Sequence, residues 1–257
     1  MSSLDDGPVP DVSVPPSWFA EAHGALPQPQ DRDPGEDEPW SMPIILHMPK
    51  PERPGRTALL EAAATAVVAC CLDERAVQSD DLRTWYGARI RKIARRARNT
   101  HWQRAQDLLP GVTATVDGAS ARALTPSPVG GEDVLVAKLQ IGGTELPRDE
   151  SPAPVDPDDG APVIWVDADL GMTVGKTAAQ VGHGSMLLAA VLDVDAAWAW
   201  ARDGFPLHVR EVPRAELPAQ GDVDVVVHDA GFTEIAPGAA TVSVTGGRYS
   251  KRARPGS

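Results

Sequence analysis

The chain has 257 residues, 24 Lys or Arg against 36 Asp or Glu, and a formal net charge of −12. That length exceeds one small domain and suits two of about 100 residues with tails; the longest apolar run, residues 58–72, contains Glu61 and is too short to span a bilayer, which argues against a membrane protein. The acidity is uneven: residues 1–41 carry −8 and residues 145–160 carry −5, so the rest sits near +1 and a locally basic nucleic-acid-binding face is not excluded.

In chain order, residues 1–41 are rich in Pro, Asp, Glu and Gly without a sustained apolar period, and read as a disordered acidic tail. Trp18-Phe19 reads there as an incidental aromatic pair rather than a docking motif. No basic segment followed by an apolar core marks a signal peptide. The two cysteines, Cys70 and Cys71, are adjacent, so they neither bridge nor offer metal-ligand spacing. A reduced, cytoplasmic setting is expected, with no metal and no cofactor.

Residues 42–146 read as a first α/β domain, with a strand at Ile44–Leu46, a turn, and an apolar helix from Thr57 to Leu72. Leu82 to Gln106 then carries eight Lys or Arg and no acid, interleaved with Trp85, Tyr86, His101 and Trp102. As a helix it would bear cations around most of its circumference, too many for an amphipathic core helix. It reads either as a solvated face pairing with the acidic tail or as a phosphate-contacting surface, with Arg89, Lys92 and Arg96 as contacts and aromatics to stack on unpaired bases. Val134 to Ile141 alternates as a closing strand would. Residues 147–162, dense in Pro and Asp, form an extended linker.

The stretch that organises the rest is PVIWVDADLGMTVGKTAAQVGHGSMLL. An apolar strand (Val163 to Val166) leads through a glycine turn into an Ala-rich helix starting at 174–177, with Lys176 at its head and Gln180 and His183 at helical spacing. Exposed N–H groups at such a helix start attract phosphate or a developing oxyanion. GMTVGKT is one residue short of a P-loop, because Gly171 and Gly175 enclose three residues instead of four. Shifted by 120 positions, the first domain overlies this stretch: Ile44 falls on Ile164, residues 55–58 (GRTA) on 175–178 (GKTA), and Ala69, Leu72 and Asp73 on Ala189, Leu192 and Asp193. The N-terminal half thus reads as a diverged copy, or the overlap is a coincidence of two Ala-rich helices.

Further on, Asp195 is a candidate N-cap for a helix whose Trp198 and Trp200 read as core. Leu207 to Val212 is strand-like, and PRAELPAQGD is too short and Pro-broken for a full helix. Val223 to Val227 is a buried strand running into Asp229, with Thr233 four residues on, then a Pro237-Gly238 turn and a final strand at Thr241–Val244. Residues 163–247 form this second domain and the basic 248–257 a flexible tail. A strand ending in Asp also suits a Walker B motif, so a nucleotide-binding protein remains a third reading.

Two segments carry a family likeness. Asp169, Leu170, Met172, Gly175, Lys176, Ala178, Ala179, Gln180 and His183 match the signature D-L-x-M-G-K-G-K-x-A-A-Q-x-x-H-A. Residues 225–244 resemble V-x-D-A-G-x-T-x-I-A-P-G-x-x-T-V. The chain therefore resembles the second structural class of peptidyl-tRNA hydrolases over residues 163–246. The resemblance implies an α/β fold with a small mixed sheet flanked by helices, and hydrolysis of the peptide–tRNA ester; with no serine elbow or Cys/His nucleophile pair in the sequence, direct attack by water without metal is expected. It implies Lys176, Asp229 and Thr233 as catalytic residues, with Lys176 at the oxyanion or phosphate, Asp229 holding its charge or orienting water, and Thr233 in the hydrogen-bonded chain. Gln180, His183 and Thr241 would touch substrate, although His183 reads more readily as a structural histidine packed under the sheet and Thr241 also reads as a plain strand residue. The family pairs as homodimers; two fused copies imply a monomer with pseudo-two-fold halves. In the first copy Arg56, Leu60 and Ala63 replace the lysine, glutamine and histidine. In the second, Val174 and Thr173 replace the first signature lysine and its glycine, so a non-catalytic tRNA-binding module stands as the alternative to the enzyme.

Overall fold

Two sheets of the same design organise the computed structural model, which describes residues 13–28, 38–149, 159–228 and 238–251. Helix α1 (Ser17–Gly24) precedes β1 (Pro39–His47), α2 (Arg56–Cys71), α3 (Glu74–Gln78), α4 (Asp80–Gly87) and β2 (Arg89–Ala97). Then come α5 (Asn99–Leu108), β3 (Gly111–Val116), β4 (Ala119–Leu124), β5 (Ser127–Pro128) and α6 (Val134–Ala137). The second half runs β6 (Val163–Asp167), α7 (Val174–Val191), α8 (Val194–Arg202), β7 (His208–Val212), β8 (Val225–His228) and β9 (Ala240–Thr245).

The strand orders are β2-β1-β4-β3 and β7-β6-β9-β8, with β5 added against β1. In each, the first strand pairs parallel with the strand after the helical crossover and antiparallel with the inner strand on its other side, β4 in the first half and β9 in the second. Ile44 stands between Ala94 and Ala123, and Ile164 stands between Val209 and Val244. The 120-residue offset of the sequence therefore superposes equivalent strands of equivalent sheets, as a duplicated α/β unit would. Met42, Ile44, Ile45 and Leu46 are wholly buried, which explains an unbroken apolar run instead of alternation.

The two long helices join the halves. A Cβ on Gly182 would stand 2.8 Å from Val67 of α2, and one on Gly184 would stand 3.0 Å from Val244 of β9. The absence of side chains lets α7 approach helix and sheet together. Ser185 Oγ donates to the Ala64 carbonyl at 2.8 Å across the same contact. Edge strands β7 and β2 are each met by the helix of the other half: Glu61 of α2 accepts the Val209 N–H of β7 at 3.0 Å, while α7 lies against β2. Covering exposed strand edges removes a template for unwanted pairing.

Several expectations are corrected. Residues 17–24 of the tail form α1, and Trp18-Phe19 is a docking pair: Phe19 is fully buried and its ring lies 4.9 Å from Trp198. The basic stretch is α4, β2 and α5 in succession, not a helix. Its Trp85 and Trp102 are buried in the core and unavailable for stacking on bases, while His101 stays exposed. The stretch 134–141 is no strand. Asp133 caps α6 by accepting the Leu135 N–H at 2.7 Å, and Val136 and Leu139 bury at the i, i+3 spacing of a helical turn, not the i, i+2 spacing of a strand. The closing strand is β4. Asp193, not Asp195, caps α8, accepting the Ala196 N–H at 2.8 Å. Trp200 is wholly buried, as a core residue should be.

Candidate active site

Strands β6, β7 and β8 run the same way, since β8 and β6 are both antiparallel to β9. Their C-terminal ends and the start of β9 thus share one edge of the sheet, where ligands of α/β proteins collect. The head of α7 opens at this edge. Thr173 is its N-cap, accepting the Lys176 N–H at 3.2 Å, and its carbonyl receives the Thr177 N–H and hydroxyl. Thr144, from the first half, accepts the Gly175 N–H at 3.2 Å. The N–H groups expected to greet an anion are therefore partly satisfied by hydroxyls. The P-loop reading also fails locally: Thr177, which would have to face a metal, is fully buried and bonded back to Thr173.

Lys176 is half-buried on the first turn of α7. One turn on, Gln180 meets Thr241 of β9, whose hydroxyl lies 2.9 Å from Gln180 Oε1 and 3.2 Å from the Val227 carbonyl. This buried contact ties α7 to β8 and β9 immediately below the head of the helix. Two of the expected substrate residues are thus brought together. Strand β8 ends at exposed His228, the residue before Asp229; Asp229 and Thr233 lie outside the described residues.

His183 and the basic strand are placed differently. His183 faces the first half, with Nδ1 2.8 Å from Lys92 Nζ, and Lys92 also lies 4.7 Å over the Trp85 ring. Burial pulls the Lys92 amine down to about 7, and burial followed by the Lys92 charge holds His183 well below its usual value. This pair belongs to the contact between halves. Arg89 is half-buried at the start of β2, and Arg96, at its other end, bonds Gln140. Arg95 is buried against Glu132 at 3.0 Å.

Sequence reasoning missed two ion pairs at this edge. Asp167, ending β6 with almost no exposure, accepts from Arg214 at 2.7 Å, and Asp169 accepts the Arg214 N–H at 3.1 Å, pinning the turn after β7. Arg56, the counterpart of Lys176, is buried and bidentate to Glu211 of β7 at 2.6 and 2.7 Å. The only signal was the offset itself, which marked Arg56 but not its partner across the halves. Among the described residues no three His, Cys, Asp or Glu group closely enough to hold a metal ion, and no helix is long and apolar enough to cross a membrane.

The family model for peptidyl-tRNA hydrolase PTH2 matches residues 161–253. A probable peptidyl-tRNA hydrolase 2 of Schizosaccharomyces pombe is 37% identical over 91 residues, which are 31% of this chain and 44% of the relative. The match thus spans under half of the relative's length. No solved structure matches the chain. With the head of α7, Gln180, Thr241 and the end of β8 gathered inside that match, the C-terminal half of the chain carries a domain of the PTH2 family of peptidyl-tRNA hydrolases.

Proposed function

We propose that the protein is a peptidyl-tRNA hydrolase, cleaving the ester between a peptide's C-terminal carbonyl and the terminal ribose of tRNA in the cytoplasm. The observation that carries this reading is the convergence of Lys176, Gln180 and Thr241 on the sheet edge from which the chain enters the segment with Asp229 and Thr233. Water attacks the carbonyl, the carbonyl–ribose bond breaks, and the proton lost by water ends on the ribose hydroxyl. Lys176 stabilises the oxyanion or an adjacent phosphate, Asp229 orients or deprotonates the water, and Thr233 supplies a hydroxyl to the chain of bonds. The working unit is residues 163–247; residues 42–146 are its diverged copy, joined by 147–162, and the pair replaces a homodimer within one monomer.

The buried valine at position 174 favours a second reading, a tRNA-binding module that no longer turns over, because the resemblance puts a lysine there. Hydrolysis of a blocked aminoacyl-tRNA by the purified protein, beside Lys176→Ala and Asp229→Ala, separates the two. The enzyme reading expects turnover that both variants lose while staying folded. Binding of tRNA without turnover in the unmodified protein selects the module.

A further inference from the structure

We propose that Thr144, which lies outside the family match, is a positioning residue for the hydrolysis: its hydroxyl fixes the head of α7 and so sets where Lys176 stands. This role rests on the hydrolase reading above and gives the first half a part in the reaction of the second.

Thr144 belongs to a strap, residues 140–149, that crosses from the end of β2 to the head of α2 and is tied down along its length. The Arg96 N–H donates to the Gln140 carbonyl at 2.9 Å. Gly143 turns the chain at φ +68° beneath the Arg96 guanidinium, which stands 3.0 Å from where a Cβ would be, so glycine serves there. Leu146 is buried and its carbonyl accepts from Arg56 at 3.1 Å. Asp149 accepts the Arg56 and Thr57 N–H groups at 3.2 and 2.8 Å.

The strap thus presents Thr144 to α7 from a fixed backbone. Thr144 is 2% exposed, and its oxygen accepts the Gly175 N–H at 3.2 Å. A Cβ on Gly175 would stand only 3.2 Å from that oxygen and 3.7 Å from the Cβ of Ala94, so the glycine lets the first half press against the helix backbone itself. The first N–H groups of a helix have no partner within it. In α7, Thr173 takes the Lys176 N–H from inside the second half, and Thr144 takes its neighbour's from outside.

The turn ahead of the helix is gripped in the same way. Arg148 of the strap donates to the Ala168 carbonyl at 2.6 Å, and Arg56 donates to the Met172 carbonyl at 3.3 Å. The stretch from Ala168 to Gly175, which leads straight into Lys176, is therefore bonded to the first half or its strap at both ends and between them. Removing the Thr144 oxygen strips the Gly175 N–H of its acceptor. The first turn of α7 recovers a partner only by shifting toward water, which carries Lys176 with it.

The test is steady-state hydrolysis of a blocked aminoacyl-tRNA by the full chain and by Thr144→Val, Thr144→Ala and Thr144→Ser, with urea denaturation and tRNA affinity on the same preparations. Thr144→Val keeps the shape and removes the acceptor; it is expected to lower kcat about ten-fold, the scale of a slightly misplaced catalytic group, with KM changed less than about two-fold. Thr144→Ser keeps the oxygen and should recover most of the loss. Thr144→Ala removes the acceptor without setting a methyl against the helix, so it reports if the valine variant fails to fold. Folded Thr144→Val or Thr144→Ala with the parent's kcat would overturn the assignment, reduce Thr144 to a helix cap and leave the hydrolase standing. A loss that Thr144→Ser shares, or a rise in KM at constant kcat, would overturn it too. A parent that binds tRNA without hydrolysing it would sink the hydrolase and this role with it.

Discussion

Lys92 Nζ stands 2.8 Å from His183 Nδ1 across the contact between the halves, where both side chains are titratable bases enclosed by α2, α4 and α7. Trp85 and Met186 Sδ complete the surroundings of the amine, and nearby Cys71 only slightly opposes the effect of burial on it. Both native affinities for protons lie below the unfolded ones, so the unfolded chain binds more protons and stability rises with pH. For Lys92 the window runs from about 7 up to the ordinary lysine value of 10.5; for His183 stability falls as pH drops below the ordinary histidine value of 6.5. Lys92→Met should abolish the alkaline slope and raise stability at neutral pH by roughly 1–3 kcal/mol, since an apolar chain replaces a buried cation. Urea midpoints across the pH range check this; parallel pH profiles for parent and variant would refute it.

The Arg56–Glu211 bridge should be a stability element rather than a catalytic one. Arg56 is 5% exposed and its remaining donors go to the carbonyls of Leu146 and Met172. Removing the carboxylate leaves a buried charge with carbonyl partners alone. Glu211→Gln is expected to cost about 3–5 kcal/mol, the range for breaking one side of a buried pair. Chemical denaturation measures it, and a loss under about 1 kcal/mol would mean the bridge is screened like a surface pair.

These elements also show what a sequence can reveal. The strands at Ile44 and Ile164 and their helices were legible because each is a long apolar run with a glycine before its helix. The offset between them matches strands that hold equivalent places in two sheets of like order. Strand β2 was not legible: Arg89 to Ala97 has too many cations for its alternation to show, and only the tertiary partners of Lys92, Arg95 and Arg96 explain them. Helix α1 was hidden by its acidic surroundings, because eight residues with one buried aromatic give no period to read. Within the site, the residues on α7 and β9 were readable from the signatures, whereas Arg56–Glu211 and Asp167–Arg214 depend on pairings far apart in sequence.

Helix α1 should act as a clasp on both halves. Phe19 packs on Trp198 of the second half, Glu21 pairs with Arg83 of the first, and His23 Nε2 reaches the Ala189 carbonyl at the end of α7 at 3.0 Å. Phe19→Ala is expected to cost about 3–5 kcal/mol, the range for emptying a buried aromatic site. Thermal unfolding followed by tryptophan emission would register it through Trp18 and Trp198, which meet edge to face at 6.2 Å. Wild-type stability in the variant would show that α1 merely rests on the surface.

Restoring the family's first lysine should not restore anything. Val174 is the first residue of α7 and has no exposed surface, between Thr173, which caps the helix, and Gly175, whose N–H donates to Thr144 of the first half and where an added Cβ would meet Ala94. A lysine there would have to carry its ammonium out past the first half or give up its proton, and the helix start already repels a cation through its dipole. Packing against the first half occupies a position that the resemblance assigns to charge. Val174→Lys is therefore expected to lose on the order of 3 kcal/mol of stability with no gain in blocked aminoacyl-tRNA hydrolysis. Denaturation and turnover on the same preparation test it: a folded variant with higher turnover would mean that the site opens wider than its packing allows, and that valine is what limits the reaction.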